Sequence, residues 1–493
     1  MECMLSDGKI MREYYNNVGL DGIGLGNHDF DYGLDYLRDF VKEQKFPLLV
    51  ANVKNNKSGK YLYEEWDNTF AYKVYEFTSK SGIKVKIGVI GLATKTSPSQ
   101  TNTDISSLTF EDYYSTTKKW EKYLRETLEV NAVILLTHLG PKCDDVNKEK
   151  MVLQMRDSTT QQKGCNENEE IMSFLEQIKN NGQIKIDGVV AAHVHDIVHH
   201  WISDIPVIES SGSGYFNILY LAFRSTNDGL ILQENKVQIE GPVPVCEKLW
   251  PDSKNCEYKY EDSSIMEQFT FHDRLVELNK ELVNNLTFWN NIINEKINNN
   301  LIEVKDEMFI NGSKEALLTN FVNDIGRIIT ESDICFYNLG GLRTTWHKGF
   351  INEIDLFRMS PFNNTWVRFE MTGEEVYHMF LDLAGSAIYP YSGTLQTFTY
   401  INNYYSMKNI LVWDGEEEKP LEPKKTYKVC TNDFLADGGS GMGNVRKWYT
   451  ELRNKKDFGI IRELLLKYLK KMKNITKDKF IDENYPRIII IDN

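Results

Sequence analysis

No run of roughly eighteen apolar residues occurs in this 493-residue chain, so no segment is expected to cross a membrane as a helix. No apolar stretch follows Met1, which argues against a signal peptide there. The closing Arg487–Asn493 is too short and too polar at its end for a lipid-anchor signal and reads as a final strand. Positive charge is also in deficit: 57 basic against 71 acidic side chains give a formal charge of −14. That balance argues against a nucleic acid polymer or an anionic membrane as partner. It also repels phosphate esters at long range, so any phosphate site must make its own positive field from metal ions, arginines or backbone N–H groups. The seven cysteines form no CxxC pair, which argues against a structural zinc site. Internal repeats and long low-complexity tracts are absent as well.

What is present suffices for packed cores: 41% hydrophobic and 12% aromatic residues over a length that suits two or more domains. From Gly22 to about Tyr220 strand-like and helix-like runs alternate, with Leu48–Asn52, Ile87–Gly91, Ala132–Leu136 and Ile186–Ala192 as core strands of an α/β layer domain. The charged stretch Met151–Glu170 breaks the periodicity and reads as an insertion. Cys143 with Cys165, and Cys246 with Cys256, flank polar loops and are candidate disulfides, whereas Cys335 and Cys430 lie in strand-like runs and read as small buried apolar residues. Apolar residues at helical spacing from Leu275 to Ile293 predict one long helix over about Ser263–Asn298, and a second α/β domain follows. Sequons at Asn56, Asn285, Asn311, Asn363 and Asn474 suit an exported, glycosylated protein, although an Asn-rich chain also acquires sequons by chance. A secretory or extracellular location is the expectation.

The chemistry concentrates at strand ends. Gly26-Asn27-His28-Asp29-Phe30-Asp31 follows the apolar run Gly22–Leu25 and packs polar groups into one turn. An Asn carbonyl is a hard metal ligand, the adjacent imidazole can act as a general acid or charge stabiliser, and Asp31 can hold that ring in one tautomer. The alternative is a polar loop in which Asp29 or Asp31 caps a helix from about Tyr32 to Val41. Three further histidines end apolar runs: His138 after Ala132–Leu136, and His193 and His195 after Ile186–Ala192. In an extended segment His193 and His195 point the same way, and beside His138 they make a metal cradle. His199 and His200 lack that placement and read as ordinary surface residues.

These blocks resemble the 5'-nucleotidase family of two-domain metallophosphoesterases. The family's Gly-Asn-His-Glu signature stands as Gly26-Asn27-His28-Asp29, its second-metal histidine as His138, and its Gly-Gly-His-x-His block as Ala191-Ala192-His193-Val194-His195. Its Asn-Gly-Gly-Gly-x-Arg loop is similar to Asn338-Leu339-Gly340-Gly341-Leu342-Arg343. Pro361-Phe362 and Asn432–Gly439 match two more signatures, all in family order. The resemblance implies an N-terminal metallophosphoesterase-like layered α/β domain over 1–240, a linker and connector helix over 241–298, and a C-terminal α/β nucleotide-binding domain over 299–493. It also implies a domain rotation that carries substrate to the metals, with a hinge around Asn298–Glu303.

By the same resemblance, two divalent cations (Zn, Mn or Co) clamp the phosphate, with Asn27, His138 and His193 on one ion and His195 on the other. His28, oriented by Asp31, would stabilise charge on the phosphoryl group. Asn338, Gly340, Gly341 and Arg343 would bind base and ribose, Phe362 and Phe434 would stack the base, and Ser440 stands where the family has a ribose-binding carboxylate. The family's Arg-x-Arg-Glu approach reads Gly312-Ser313-Lys314-Glu315, and Lys314 cannot supply a bidentate fork. The family's opening Asp-x-His strand and Gly-Asp turn have no counterpart in the 26 residues before Asn27, so the chain reads as N-terminally incomplete, with too few ligands for the first ion. The expected activity is hydrolysis of nucleoside 5'-monophosphates to nucleoside and phosphate, with activity of the chain as written in doubt. The alternatives are a nucleotide-sugar or 2',3'-cyclic nucleotide phosphoesterase, or a catalytically dead nucleotide-binding protein.

Overall fold

The structure, a computed structural model, describes residues 8–79, 82–101, 103, 105–143, 151–155, 164–210, 214–226, 229–256, 263–297, 300–310, 316–384, 391–401, 404–413, 416–439, 452–482 and 486–492. The chain divides into two compact units, one spanning 9–286 and the other 287–493 together with the first eight residues. The first unit thus takes in the segment 241–286 along with the expected domain.

Long β-branched and leucine-rich runs need cover on both faces, which a parallel sheet provides. Ala132–Thr137 is such a run: it lies between Lys84–Leu92 and Gly188–Ala191, parallel to both, and Ile205–Glu209 continues the parallel set. Antiparallel strands Tyr72–Thr78 and Val198–Ile202 close the two edges of this six-stranded sheet. A second, parallel sheet holds Ile23–Gly24, Leu48–Leu49 and Thr69–Phe70. The backbone N–H of Ala51 donates to the carbonyl of Gly91 at 2.8 Å, joining the two sheets. The helices Tyr113–Glu126 and Glu170–Asn181 bury Leu124, Phe174, Leu175 and Ile178 against Val133, Leu135 and Val189. Each such side chain contributes about 1.5–3 kcal/mol on burial. The carboxyl ends of Ala132–Thr137 and Gly188–Ala191 lie side by side, and that edge collects the histidines.

Within 151–170, residues Val152–Met155 form a strand paired with Gln238–Pro244, and Cys143 is bonded to Cys165. Cys246 is bonded to Cys256. The expectation for the other pair is corrected: Cys335 and Cys430 are joined as well. They stand directly opposite each other on the neighbouring parallel strands Ile334–Cys335 and Thr426–Asn432, a pairing that separate strand-like runs do not reveal.

The long helix is shorter than its apolar spacing predicts, covering Lys280–Ile297. The short strands Glu267–Gln268, Thr270–Phe271 and Arg274–Leu275 occupy the preceding stretch, with His272 and Asp273 at positive φ in the turn between the last two. Asn279 starts the helix by accepting from the N–H groups of Glu281 (3.0 Å) and Leu282 (3.2 Å), an N-cap that sets the boundary. Asn298 and Asn299, at the expected hinge, lie outside the described residues.

The second unit holds a mixed four-stranded sheet in the order Ile334–Cys335, Thr426–Asn432, Thr365–Thr372, Arg453–Ile460. A further four-stranded sheet ends in Ile488–Asp492, so the carboxy-terminal strand is as expected. No described helix is long and apolar enough to cross a membrane.

Candidate metal and nucleotide sites

The turn after Ile23–Gly24 does not cap the next helix. That helix, Leu34–Glu43, starts at Gly33 without a side-chain cap. Asp29 instead accepts from the N–H of Gly26 at 2.7 Å, closing the turn on itself, and Asp31 is spent on His28. The Nδ1 of His28 and Oδ2 of Asp31 are 2.8 Å apart, and the carboxylate makes Nδ1 the donor, which leaves Nε2 as the outward nitrogen. The imidazole is half exposed while the Asp31 side chain is 13% exposed, as expected of a ring that meets a ligand and a carboxylate that holds it.

Asn27 is buried, and its two amide atoms have different partners. The nitrogen donates to the carbonyl of Gln100 at 3.1 Å, which fixes the flip and turns Oδ1 towards Nε2 of His138 at 2.9 Å. His138 enters from the end of Ala132–Thr137, and its ring lies 4.9 Å from that of His193, centroid to centroid. Burial, then the neighbouring His193, His28 and His195, lower the pKa of His138 to about 3. His193 is lowered in the same way by burial and His195, against the opposing charge of Glu170. Rings kept neutral by burial present lone pairs, the form that binds a cation. Gly26 makes the approach possible, because a Cβ there would lie 2.9 Å from the His138 ring.

One expectation is corrected here. His193 and His195 are not in an extended segment: the strand ends at Ala191, and the two residues have φ of 98° and 58°. Side chains in left-handed backbone lose the period-two rule, and such strain in non-glycine residues gathers at functional sites. His195 still joins the group electrostatically, acting on both His138 and His193. His199 is also corrected. It is fully buried on the strand Val198–Ile202 and stacks on His200 at 4.6 Å, because an edge strand of a covered sheet has an inner face.

Sequence reasoning missed Glu209, buried at the end of Ile205–Glu209 beneath the His193–His195 loop. Burial, then Asp196, pushes its carboxyl up to about 8, while the N–H groups of His195, Asp196 and Val194 face it without completing a regular hydrogen bond. A lone Glu after an apolar run carries no sequence signal for that place.

In the second unit Asn338 opens the short helix Leu339–Gly341 and its Oδ1 accepts from Nδ2 of Asn432 at 2.7 Å. Asn432 in turn caps Asp433–Ala436. Two loops from neighbouring strands are thereby clasped together. Arg343 is exposed, donates to the carbonyl of Gly340 at 3.2 Å and sits 5.9 Å above the Phe362 ring, within cation–π range. Gly341 is buried against Tyr337. Phe362 and Phe434 are both partly exposed, so neither is a plain core residue. A Cβ at Gly439 would lie 2.4 Å from the Phe434 ring, so the glycine lets the backbone fold over that face. Arg462, also missed, donates to the carbonyls of Ser360, Pro361 and Phe362 at 3.0–3.2 Å and so fixes the turn that carries Phe362. Ser440, with Gly312–Glu315 and Asn311, lies outside the described residues.

A layered α/β unit with Asn and His at strand ends, followed by a second α/β unit with clasped Asn and Gly loops, is the architecture found in two-domain 5'-nucleotidases. Residues 302–447 match the family model described as the 5'-nucleotidase C-terminal domain. An apyrase of Tabanus yao is 24% identical across 94% of this chain and 78% of its own length. Protein UshA of Escherichia coli is 24% identical across 92% of this chain and 78% of its own. The 5'-nucleotidase of Homo sapiens is 24% identical across 89% and 72%. The 5'-nucleotidase precursor of Thermus thermophilus shares the fold, with a TM-score of 0.64 at 19% identity, covering 99% of this chain and 87% of that one. Residues 302–447 thus carry a 5'-nucleotidase C-terminal domain, and the chain as a whole is similar to 5'-nucleotidases, which are metal-dependent phosphoester hydrolases.

Proposed function

We propose that this protein hydrolyses nucleoside 5'-monophosphates to nucleoside and phosphate, acting in nucleotide breakdown. The observation that carries this reading is the convergence of Asn27 Oδ1 and His138 Nε2 at 2.9 Å beside His193, next to the His28–Asp31 pair. Two lone-pair donors at that separation, one buried and one partly buried, fit adjacent positions around one divalent cation. His193 is the natural third ligand. Among the described residues no three His, Cys, Asp or Glu side chains form a metal cluster by themselves, and in this reading the Asn27 carbonyl is the third donor beside His138 and His193. For a second cation the described residues offer His195. Bound divalent ions supply Lewis-acid polarisation of the phosphoryl group and an activated water.

The chain's own residues do the rest. Asn27 is held in one flip by Gln100, so its oxygen stays aimed at the ion position. His28, with Nδ1 tied to Asp31, presents Nε2 to the phosphoryl oxygen that gains charge, and as the imidazolium it donates there from Nε2 while Nδ1–H stays on Asp31. In the second unit Phe362 and Phe434 stack the base, worth about 1–3 kcal/mol per base and tolerant of base identity. Asn338, Gly340, Gly341 and Arg343 bind base and ribose, and Ser440, outside the described residues, is assigned to the ribose by its place in the sequence. The bonded cysteine pairs and the sequons at Asn56, Asn285, Asn363 and Asn474 support a secretory or extracellular setting.

Phosphate release from AMP with added Zn²⁺ or Mn²⁺ tests the reading against His28→Ala. Loss of about two to four orders of magnitude in the variant is expected for a residue of this kind. Equal release from both proteins, or none from the unaltered one, sinks it.

A further inference from the structure

The segment after the strand Lys84–Leu92 touches the turn Asn27–Asp31 at three places. The Gln100 carbonyl accepts from Asn27 Nδ2 at 3.1 Å, the Thr101 hydroxyl donates to Asp31 Oδ1 at 3.1 Å, and the Thr103 hydroxyl donates to the Phe30 carbonyl at 2.6 Å. Thr101 is 7% exposed, so its hydroxyl is largely shielded from bulk water. Asp31 therefore has each carboxylate oxygen engaged: Oδ2 by the His28 ring and Oδ1 by Thr101.

The segment is itself braced. Asn52 exchanges hydrogen bonds with both backbone groups of Ala93 at 2.9 Å. Thr94 reaches Glu170 at 2.9 Å, and Ser97 and Ser99 fold their hydroxyls back onto the carbonyls of Thr94 and Thr96 at 2.8 Å. Thr96 holds the Gln100 side chain at 2.9 Å. A short polar loop tied at so many points is a rigid platform, and rigid neighbours are what hold reacting groups in productive geometry.

We propose that Thr101 is a positioning residue for the His28–Asp31 pair. It touches no substrate. By donating to Oδ1 it stops the carboxylate from turning about its Cβ–Cγ bond, so Oδ2 stays in line with His28 Nδ1 and the imidazole keeps one tautomer and one orientation. Without the Thr101 hydroxyl the carboxylate loses one of the bonds that fix its plane. The inference deepens the functional reading above and rests on it for the role of His28.

The test compares Thr101→Val, which keeps the shape and removes the hydroxyl, with Thr101→Ser, which keeps the hydroxyl. The first readout is the ¹⁵N spectrum of histidine-labelled, metal-free full-length protein, with His28→Ala assigning the signal. The unaltered protein and Thr101→Ser should show His28 as a single Nδ1–H form, and Thr101→Val a mixture. The second readout is AMP turnover with Zn²⁺, where Thr101→Val should lose roughly tenfold in kcat with KM and zinc content unchanged, the scale of one hydrogen bond to a charged group. Thr101→Ser should stay within about twofold. An unchanged His28 signal in Thr101→Val overturns the inference, as does loss of zinc or folding that Thr101→Ser fails to restore. Turnover indifferent to His28→Ala overturns the functional reading instead, and the spectra still decide the placement of Thr101.

Discussion

Gly26 shows how a single missing side chain shapes the centre. The His138 ring occupies the space a Cβ would take, at 2.9–3.1 Å from three ring atoms, with the glycine's φ outside the left-handed region. The demand is therefore one of space rather than backbone freedom. Gly26→Ala should push the ring away from Asn27 Oδ1, weakening zinc binding measured by calorimetry and costing about 1–3 kcal/mol of stability by denaturant titration, the usual cost of overpacking. Unchanged zinc affinity would show that the ring position is not critical. Legibility at this scale was uneven. That Asn27, His28, Asp31, His138 and His193 lie near one another was legible from strand-end placement, though the backbone at His193 and His195 was not. Gln100, Thr101, Glu209 and Arg462 could not be read, because each acts through a backbone group or a partner far away in sequence.

Elements were legible where periodicity was long and buried. Ala132–Thr137 and Gly188–Ala191 follow their apolar runs because a covered parallel strand leaves no polar alternation to misread. The connector helix was overextended because Leu275 and Leu278 fall at helical spacing yet precede the Asn279 cap. The loop after Ala191 was misread because left-handed residues other than Gly leave no mark in sequence. A cap that does its work is seen at the start of Gly373–Ala384. Thr372 and Glu375 form a reciprocal box, with the Thr372 N–H donating to Glu375 at 2.6 Å and the Glu375 N–H to Thr372 at 3.3 Å, and Arg453 pairs with the same carboxylate. Partial burial works to raise the pKa of Glu375, but the Thr372 groups and Arg453 outweigh it and hold it lowered. A lowered folded-state pKa contributes stability above the unfolded value of 4.5, and that contribution is lost as pH falls through the folded one. Glu375→Gln should therefore be less stable than the unaltered protein at neutral pH. Because Arg453 is about half exposed and the pair is screened on that side, the deficit should be under about 1 kcal/mol and should close in acid. A deficit independent of pH in denaturant titrations would assign the effect to packing.

Across the whole molecule, two units with separate cores hold the two candidate sites. The first gathers Asn27, His138 and His193 at a sheet edge, and the second clasps Asn338 to Asn432 and sets Arg343 over Phe362. Each unit has bonded cysteines: Cys143–Cys165 and Cys246–Cys256 in the first, Cys335–Cys430 in the second. The central claim is that the strand-end histidines and Asn27 bind a cation. Anomalous diffraction at the zinc edge, from crystals of the full chain equilibrated with Zn²⁺, tests it most directly. The account predicts a peak bonded to Asn27 Oδ1, His138 Nε2 and His193, at about 2.0–2.2 Å from each ligand atom. Zinc bound elsewhere, with His138 still hydrogen-bonded to Asn27, would contradict it.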